Sequence, residues 1–144
     1  MPLDVLLVED NPGDARLTRE TFRDANGSIR LHLAAAGVEG MAFLRREGPN
    51  AIAPRPVIIL LDLNLPKMDG REVLAEVKAD IDLKTIPIVI LTTSDAESDI
   101  TRCYELQANC YLTKPVRLED FENLVKSVND FWLTRVKLPD MPNN

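Results

Sequence analysis

The sequence predicts a doubly wound α/β fold, in which helices cover both faces of a parallel β-sheet. Apolar runs of strand length recur along the chain, and segments of helix length separate them. Three of these runs are almost continuously apolar rather than alternating, as is typical of parallel strands buried on both faces. The five predicted strands cover residues 3–8, 31–35, 57–61, 86–91 and 110–112.

Helix-start signals follow three of these strands, and five helices are expected in all. Asn11 is a favourable N-cap with Pro12 at the first helical position, while Asp69 and Ser94 each stand three residues before a glutamate, the spacing of a capping box. Gly48-Pro49 is expected to end the second helix. Stripes at helical spacing are Ala15, Thr18, Phe22 and Ala25 in the first helix and Val73, Leu74, Val77 and Ile81 in the third.

The composition favours a single domain that lies outside the membrane. The 144 residues are 45% hydrophobic with a formal net charge of -6, which argues against a nucleic-acid-binding surface. Because the N-terminal segment reaches acidic residues too soon for a secretory signal, we expect a cytoplasmic location. Cys103 and Cys110 are expected to be reduced thiols rather than zinc ligands. One domain is predicted over residues 1–144, with its core over about 3–130 and an extension over 131–144.

Polar side chains follow the predicted strands at the points where the strands end. Since ligands of open parallel sheets bind beyond the carboxyl ends of the strands, these side chains should share one crevice. Carboxylates that converge in this way repel one another and attract a divalent cation, and Mg²⁺ is the ion whose preference for hard oxygen ligands fits best. The strand-end residues are Glu9, Asp10, Asp62, Thr92, Thr93 and Lys114.

Four segments carry a family resemblance: VED at 8–10, LLDLNLPKMDG at 60–70, LTTS at 91–94 and YLTKP at 111–115. Together they resemble the receiver domain of two-component response regulators. The resemblance implies a CheY-like, flavodoxin-like fold with strand order 2-1-3-4-5. It also implies phosphoryl transfer from a sensor histidine kinase to Asp62 and slow self-hydrolysis, so the protein would act on itself and would not be a classical enzyme.

The phrases DLNLPKMDGREVLAE and YELQANCYLTKP are most similar to the stand-alone receivers that are paired with bacterial and cyanobacterial phytochromes. This closer likeness implies a bacteriophytochrome as the phosphodonor. An output through another protein or through the phosphorylated protein itself is expected, because the roughly 30 residues after Pro115 are too few for a DNA-binding domain.

The resemblance also implies a role for each site residue. Asp62 would accept the phosphoryl group, and Lys114 would neutralise its oxygens. Thr92 would be the switch hydroxyl and Tyr111 the switch aromatic, with a cis Lys114–Pro115 bond that aims the ammonium. The lifetime-tuning residues would be Asn64 and Thr93. The magnesium ligands would be Glu9, Asp10, Asp62 and the backbone carbonyl of Asn64.

The C-terminal segment has more apolar residues than one core-facing stripe uses. We expect a homodimer through the fifth helix and its extension. The alternative is that the extra side chains fold back on their own domain. The apolar residues are Leu118, Phe121, Val125, Val128, Phe131, Trp132, Leu133, Val136 and Leu138.

Leu17 and His32 lie outside the predicted site, and two other functions compete with phosphoryl transfer. Leu17 lies off the first-helix stripe and could contact the kinase or a satellite of the core, while His32 is expected at the surface. One rival is a pseudo-receiver that binds partners without phosphorylation. The other is a haloacid dehalogenase-like phosphatase, which needs a second aspartate two positions after the nucleophile. Asn64 stands at that position instead.

Overall fold

A computed structural model describes residues 3–23 and 29–139, and it confirms the predicted sheet. All strand pairs are parallel, and the strand order is β2-β1-β3-β4-β5. Predicted Ala25 lies outside the described residues. The strands are β1 (Leu3–Val8), β2 (Ile29–Ala34), β3 (Ile58–Leu61), β4 (Ile88–Thr92) and β5 (Cys110–Thr113).

Five helices alternate with the strands, as predicted. They are α1 (Pro12–Arg23), α2 (Gly37–Leu44), α3 (Gly70–Ala79), α4 (Glu97–Glu105) and α5 (Leu118–Asp130), the last continued by a π-helical turn over Phe131–Arg135. No helix within the described ranges is both long and apolar enough to span a bilayer.

Two of the predicted helix caps are confirmed. The Asn11 side chain accepts a hydrogen bond from the Asp14 amide at 3.0 Å, and the Asp69 side chain accepts one from the Arg71 amide at 2.8 Å. The Ser94 cap is wrong, because α4 begins three residues later and the Ser94 hydroxyl instead donates to the Asp99 carboxylate. The end of α2 is also earlier than predicted, and Gly48–Asn50 forms a separate 3-10 turn.

Successive residues of a strand pack alternately into two hydrophobic cores, one on each face of the sheet. In β1, Leu6 and Val8 pack with buried residues of α2, α3 and α4, whereas Val5 and Leu7 pack with those of α1 and α5. All four side chains are at most 2% exposed. Strands β3 and β4 are fully buried, and their side chains are almost all apolar rather than alternating, because helices cover both faces of the sheet. The edge strand β2 differs, since it carries Arg30 and His32 at positions that are not fully buried.

Two side chains, Ile81 and His32, depart from the sequence-based predictions, and Leu17 follows one of its two alternatives. Ile81 follows the end of α3 and is exposed, so it does not belong to the stripe of that helix. His32 is half-buried rather than at the surface: its Nε2 lies 2.9 Å from Asp4 Oδ1, and its ring packs against Phe43. Leu17 is partly buried against the α1/α5 core, which favours the satellite-core alternative.

The apolar side chains of the C-terminal segment divide into a packed group and an exposed group. Trp132 and Leu133 fold back and pack against the α1/α5 core. Leu118 and Phe131 do not, and they are 69% and 55% exposed. The surplus of apolar side chains is therefore reduced by the fold but is not removed.

Gly70 allows α3 to begin directly against the end of β3. Its amide donates to the Leu63 carbonyl at 2.8 Å. A β-carbon at this position would lie 2.2 Å from the Asp62 carbonyl oxygen and 2.6 Å from the Leu63 α-carbon. Backbone atoms cannot yield as a flexible side chain does, so only glycine fits here.

We expect Gly70→Ala to lower the free energy of unfolding by about 1–3 kcal/mol, the usual result of overpacking. Urea unfolding measures this change. Gly13→Ala is the matched control, because a β-carbon there would meet its nearest atom, Asn11 Oδ1, at an ordinary 3.4 Å. Alanine also has the higher helix propensity, so this variant should be as stable as the wild type or more so. Equal stability of the two variants would contradict the close approach described for Gly70.

Candidate functional site

Two neighbouring strands bring three carboxylates together at the carboxyl edge of the sheet. Val8 of β1 pairs with Leu61 of β3, so the residues that follow them emerge side by side. The Asp62 amide is fixed to the Val8 carbonyl at 3.0 Å. One carboxylate oxygen from each of Glu9, Asp10 and Asp62 lies within 4.8 Å of the others, with Glu9 and Asp62 buried and Asp10 exposed. This donor set of hard oxygens suits a divalent cation.

Lys114 follows β5 and reaches the same cluster. Its backbone amide donates to the Thr92 carbonyl at 2.6 Å, which fixes the start of the side chain beside the end of β4. Its ammonium donates to Glu9 Oε1 at 2.5 Å, to Asp14 Oδ2 at 2.9 Å and to Asp62 Oδ2 at 3.2 Å. The side chain is only 4% exposed, so its three protons are used by three carboxylates.

The predicted cis Lys114–Pro115 bond is wrong, since the described chain contains no cis peptide bond. Trans is the lower-energy isomer even before proline. The ammonium reaches the carboxylates from a trans backbone.

Burial shifts the protonation of the two innermost groups. Desolvation raises the pKa of Glu9 to about 7, against the opposing effect of the hydrogen bond and charge of Lys114, and the Asp62 charge adds to the rise. Desolvation alone would lower the pKa of Lys114, but its hydrogen bonds to Glu9 and Asp14 and the charges of Glu9 and Asp62 move it above its usual value. Lys114 is therefore a fixed positive charge, and ionised Glu9 is energetically expensive without additional positive charge nearby.

Asp62 lies at the end of a fully buried strand, and both of its oxygens have partners. The Leu63 amide donates to Oδ1 at 2.7 Å, and the Lys114 ammonium donates to Oδ2 at 3.2 Å. These contacts hold a nearly buried carboxylate in one orientation at the open edge of the sheet. An oriented, partly desolvated carboxylate can serve as a nucleophile.

The hydroxyl of Thr92 has no hydrogen-bond partner among the described residues, although the residue is fully buried. Such an unsatisfied group costs about 1–3 kcal/mol and is uncommon in native proteins. Asn64 and Thr93, by contrast, are exposed, and no described hydrogen bond joins their side chains to the carboxylates. The hydroxyl at the end of β4 is thus available to an additional acceptor.

Tyr111 is connected to the helices that flank the site by a chain of polar contacts. Its hydroxyl donates to the Ser94 carbonyl at 2.8 Å, and the Ser94 hydroxyl donates to Asp99 at 2.6 Å. Asp99 pairs with Arg71 at 2.6 Å, and Arg71 also pairs with Asp69 at 3.0 Å. The hydrogen bond from Ser94 and then the pairing with Arg71 lower the pKa of Asp99. The loop between β4 and α4 is therefore tied to both Tyr111 and the start of α3.

Asp14 is the site residue that sequence reasoning missed. No sequence motif singles it out, yet its carboxylate contacts Lys114. A usable signal existed: α1 starts at the carboxyl edge of β1, so an acid in its first turn borders the crevice. The contact itself joins residues 100 positions apart and depends on the fold.

Comparisons with known proteins agree with this geometry. The family model described as "Response regulator receiver domain" matches residues 5–127. The chain is 49% identical over 138 residues to Response regulator Rcp1 of Synechocystis sp. (strain ATCC 27184 / PCC 6803 / Kazusa), covering 96% of this chain and 94% of that protein.

Two solved structures are similar throughout. The crystal structure of the Mn²⁺-bound form of Rcp1 superposes with a TM-score of 0.93 at 49% identity, covering 96% of this chain and all of that one. The crystal structure of the phosphorylated cyanobacterial phytochrome response regulator RcpA superposes with a TM-score of 0.95 at 47% identity, covering 97% of this chain and all of that one. Because the family model matches residues 5–127, which are most of this chain, the chain belongs to the response regulator receiver-domain family.

Proposed function

We propose that this protein is a stand-alone response regulator that accepts a phosphoryl group on Asp62 from a sensor histidine kinase. The observation that carries the proposal is the environment of Asp62, a buried carboxylate oriented by the Leu63 amide and the Lys114 ammonium. Family membership supports the same chemistry. Catalysis would consist of positioning and electrostatic stabilisation by this chain's own groups.

The transfer step uses a carboxylate oxygen of Asp62 as the nucleophile. An O–P bond forms, the P–N bond of the phosphohistidine breaks, and the imidazole nitrogen keeps the electron pair and takes up a proton. The ammonium of Lys114 neutralises charge on the transferring oxygens. Slow hydrolysis would return phosphate and free Asp62, with exposed Asn64 and Thr93 controlling the access of water.

The proposed metal ligands are the carboxylates of Glu9, Asp10 and Asp62 with the backbone carbonyl of Asn64. The clustering of the three carboxylates and the Mn²⁺-bound form of Rcp1 support a divalent cation here. We propose Mg²⁺, since it prefers hard oxygen ligands and phosphate. When bound, the cation supplies positive charge for the phosphoryl oxygens.

Thr92 and Tyr111 are proposed as the switch. A phosphoryl oxygen would satisfy the Thr92 hydroxyl, which has no partner in the described chain. Movement of the β4–α4 loop toward the phosphoryl group would weaken the Tyr111–Ser94 hydrogen bond and free the ring to rotate inward. The altered surface would lie on α4, β5 and α5 and would be read by a downstream protein.

The phosphodonor is proposed to be a phytochrome-type histidine kinase. The name of RcpA, a cyanobacterial phytochrome response regulator, and its 47% identity to this chain support this assignment.

A cytoplasmic location is proposed as well. It is supported by the two free cysteines, Cys103 and Cys110, which suit a reducing compartment.

We also propose a homodimer through α5 and the extension that follows it. Leu118 and Phe131 support it because they stay exposed while their neighbours fold back.

The alternative of a pseudo-receiver shares the fold and the surfaces but predicts no phosphorylation. A haloacid dehalogenase-like phosphatase is disfavoured by Asn64, which cannot act as the acid and base that such enzymes need.

Incubation with acetyl phosphate and Mg²⁺ is expected to add the mass of one phosphoryl group to the wild type and nothing to Asp62→Asn. The amide is a far weaker nucleophile than the carboxylate. Intact-mass spectrometry gives the result. Asp82→Asn is the control, because it removes an exposed carboxylate in the loop after α3 and should be phosphorylated normally. An unmodified wild type would favour the pseudo-receiver.

Mg²⁺ or Mn²⁺ at roughly 100 times its dissociation constant should stabilise the wild type by about 2.7 kcal/mol through mass action. Asp10→Asn should lose most of this gain, since it removes a proposed ligand. Urea unfolding with and without the ion measures both. Glu47→Gln is the control: it also neutralises one exposed acid, but Glu47 follows the C-terminal end of α2 and is not a proposed ligand. This variant should keep the full stabilisation by the ion. A full gain in Asp10→Asn would remove that residue from the ligand set.

Light scattering should detect a concentration-dependent dimer, and Phe131→Ser should weaken it at least about tenfold, because burial of a phenylalanine contributes about 1.5–3 kcal/mol. Ile52→Ser is the matched control: Ile52 is 95% exposed but lies outside α5 and its extension. Monomers at every concentration, with and without phosphorylation, would exclude the dimer.

A further inference from the structure

Asp14 differs from the other two carboxylates that contact Lys114. Glu9 and Asp62 belong to the three-carboxylate cluster that can hold a cation, and Asp14 does not belong to it. Its Oδ2 nevertheless lies 2.9 Å from the Lys114 ammonium, closer than the 3.2 Å between that ammonium and Asp62. Lys114 therefore has one strong partner outside the cluster.

Two elements fix the position of this contact. Asp14 lies in the first turn of α1, where its amide is held by the Asn11 side chain at 3.0 Å. Lys114 is held at its backbone by the Thr92 carbonyl. The Asp14 side chain is 28% exposed and that of Lys114 only 4%, so the pair is largely screened from water. A long, flexible lysine is thereby anchored at both ends.

The contacts of the Lys114 ammonium would change when a cation and a phosphoryl group occupy the site. Glu9 and Asp62 share their oxygens with a cation and a phosphoryl group in the proposed function, which weakens their hold on the ammonium. Asp14 is free of both. An ammonium that keeps one fixed carboxylate partner stays near Asp62 with two protons available, and preorganised charge of this kind lowers the barrier to phosphoryl transfer.

We propose that Asp14 is a positioning residue, which holds the Lys114 ammonium beside Asp62 during phosphoryl transfer. This inference rests on the proposed function. A purely structural role for Asp14 is the competing explanation, because an acid in the first turn of a helix is favoured by the helix dipole. That role would change stability alone, whereas positioning would change the reaction rate and the behaviour of the lysine.

The test compares Asp14→Asn, Asp14→Glu and Glu20→Gln with the wild type. Glu20→Gln is the matched control: it also removes a carboxylate of α1 that pairs with a cation, here Arg16 at 3.1 Å, but on the exposed side of the helix. Phosphorylation by acetyl phosphate is followed over a range of donor concentrations at saturating Mg²⁺. The exchange rate of the Lys114 ammonium protons is measured by NMR in the metal-free protein, with Lys114→Arg to assign the signal.

Asp14→Asn should lower the maximum phosphorylation rate roughly tenfold or more, the usual effect of losing a group that orients a site residue, with little change in the half-saturating donor concentration. It should also speed exchange of the ammonium protons. Asp14→Glu should restore most of the rate, and Glu20→Gln should match the wild type in both measurements.

The inference is overturned if Asp14→Asn reacts at the wild-type rate, or if its rate and proton exchange change no more than those of Glu20→Gln. A lower rate that Asp14→Glu does not recover, with unchanged proton exchange, would equally assign Asp14 a structural role. Failure of the wild type itself to become phosphorylated would instead contradict the proposed function, so the two outcomes are distinguishable.

Discussion

The ammonium of Lys114 partly neutralises the acidic edge of the sheet, and the rest of the site depends on its contacts with the carboxylates there. Glu9, Asp10 and Asp62 lie within 4.8 Å of one another. Each pair of such charges repels by about 3 kcal/mol or more at an effective dielectric constant of 20. One buried cation shared with Asp14 offsets part of this repulsion but not all of it. The unbalanced remainder is what gives the site its affinity for further positive charge.

The two apolar cores make this electrostatic arrangement possible. Strands β1 and β3 are paired in register and buried on both faces, so they cannot move apart to relieve the repulsion at their ends. Gly70 lets α3 close against the backbone of Asp62, while the Leu63 amide and the Lys114 ammonium hold the Asp62 carboxylate. Packing energy from the whole domain therefore maintains a local geometry that is unfavourable by itself.

The same edge of the sheet also contains a buried hydroxyl without a hydrogen-bond partner among the described residues. The Thr92 hydroxyl is buried without a partner in the described chain, while Tyr111 and Ser94 join the adjacent loop to the Arg71–Asp99 pair. A ligand that satisfied Thr92 would compete with this polar chain for the position of the loop. Switching would thus be a choice between two sets of hydrogen bonds at the edge of the sheet that carries the proposed phosphoacceptor, Asp62.

The sequence by itself determined the fold class, the strand order through the family motifs, and the strand-end positions of Glu9, Asp62 and Lys114, because buried parallel strands leave continuous apolar runs that end in polar residues. It did not determine the Asp14–Lys114 contact, the start of α4, the environment of His32 or the division of the C-terminal apolar residues. Those depend on contacts between distant segments. Periodicity reports which side of an element is apolar, and only the tertiary structure decides what that side meets.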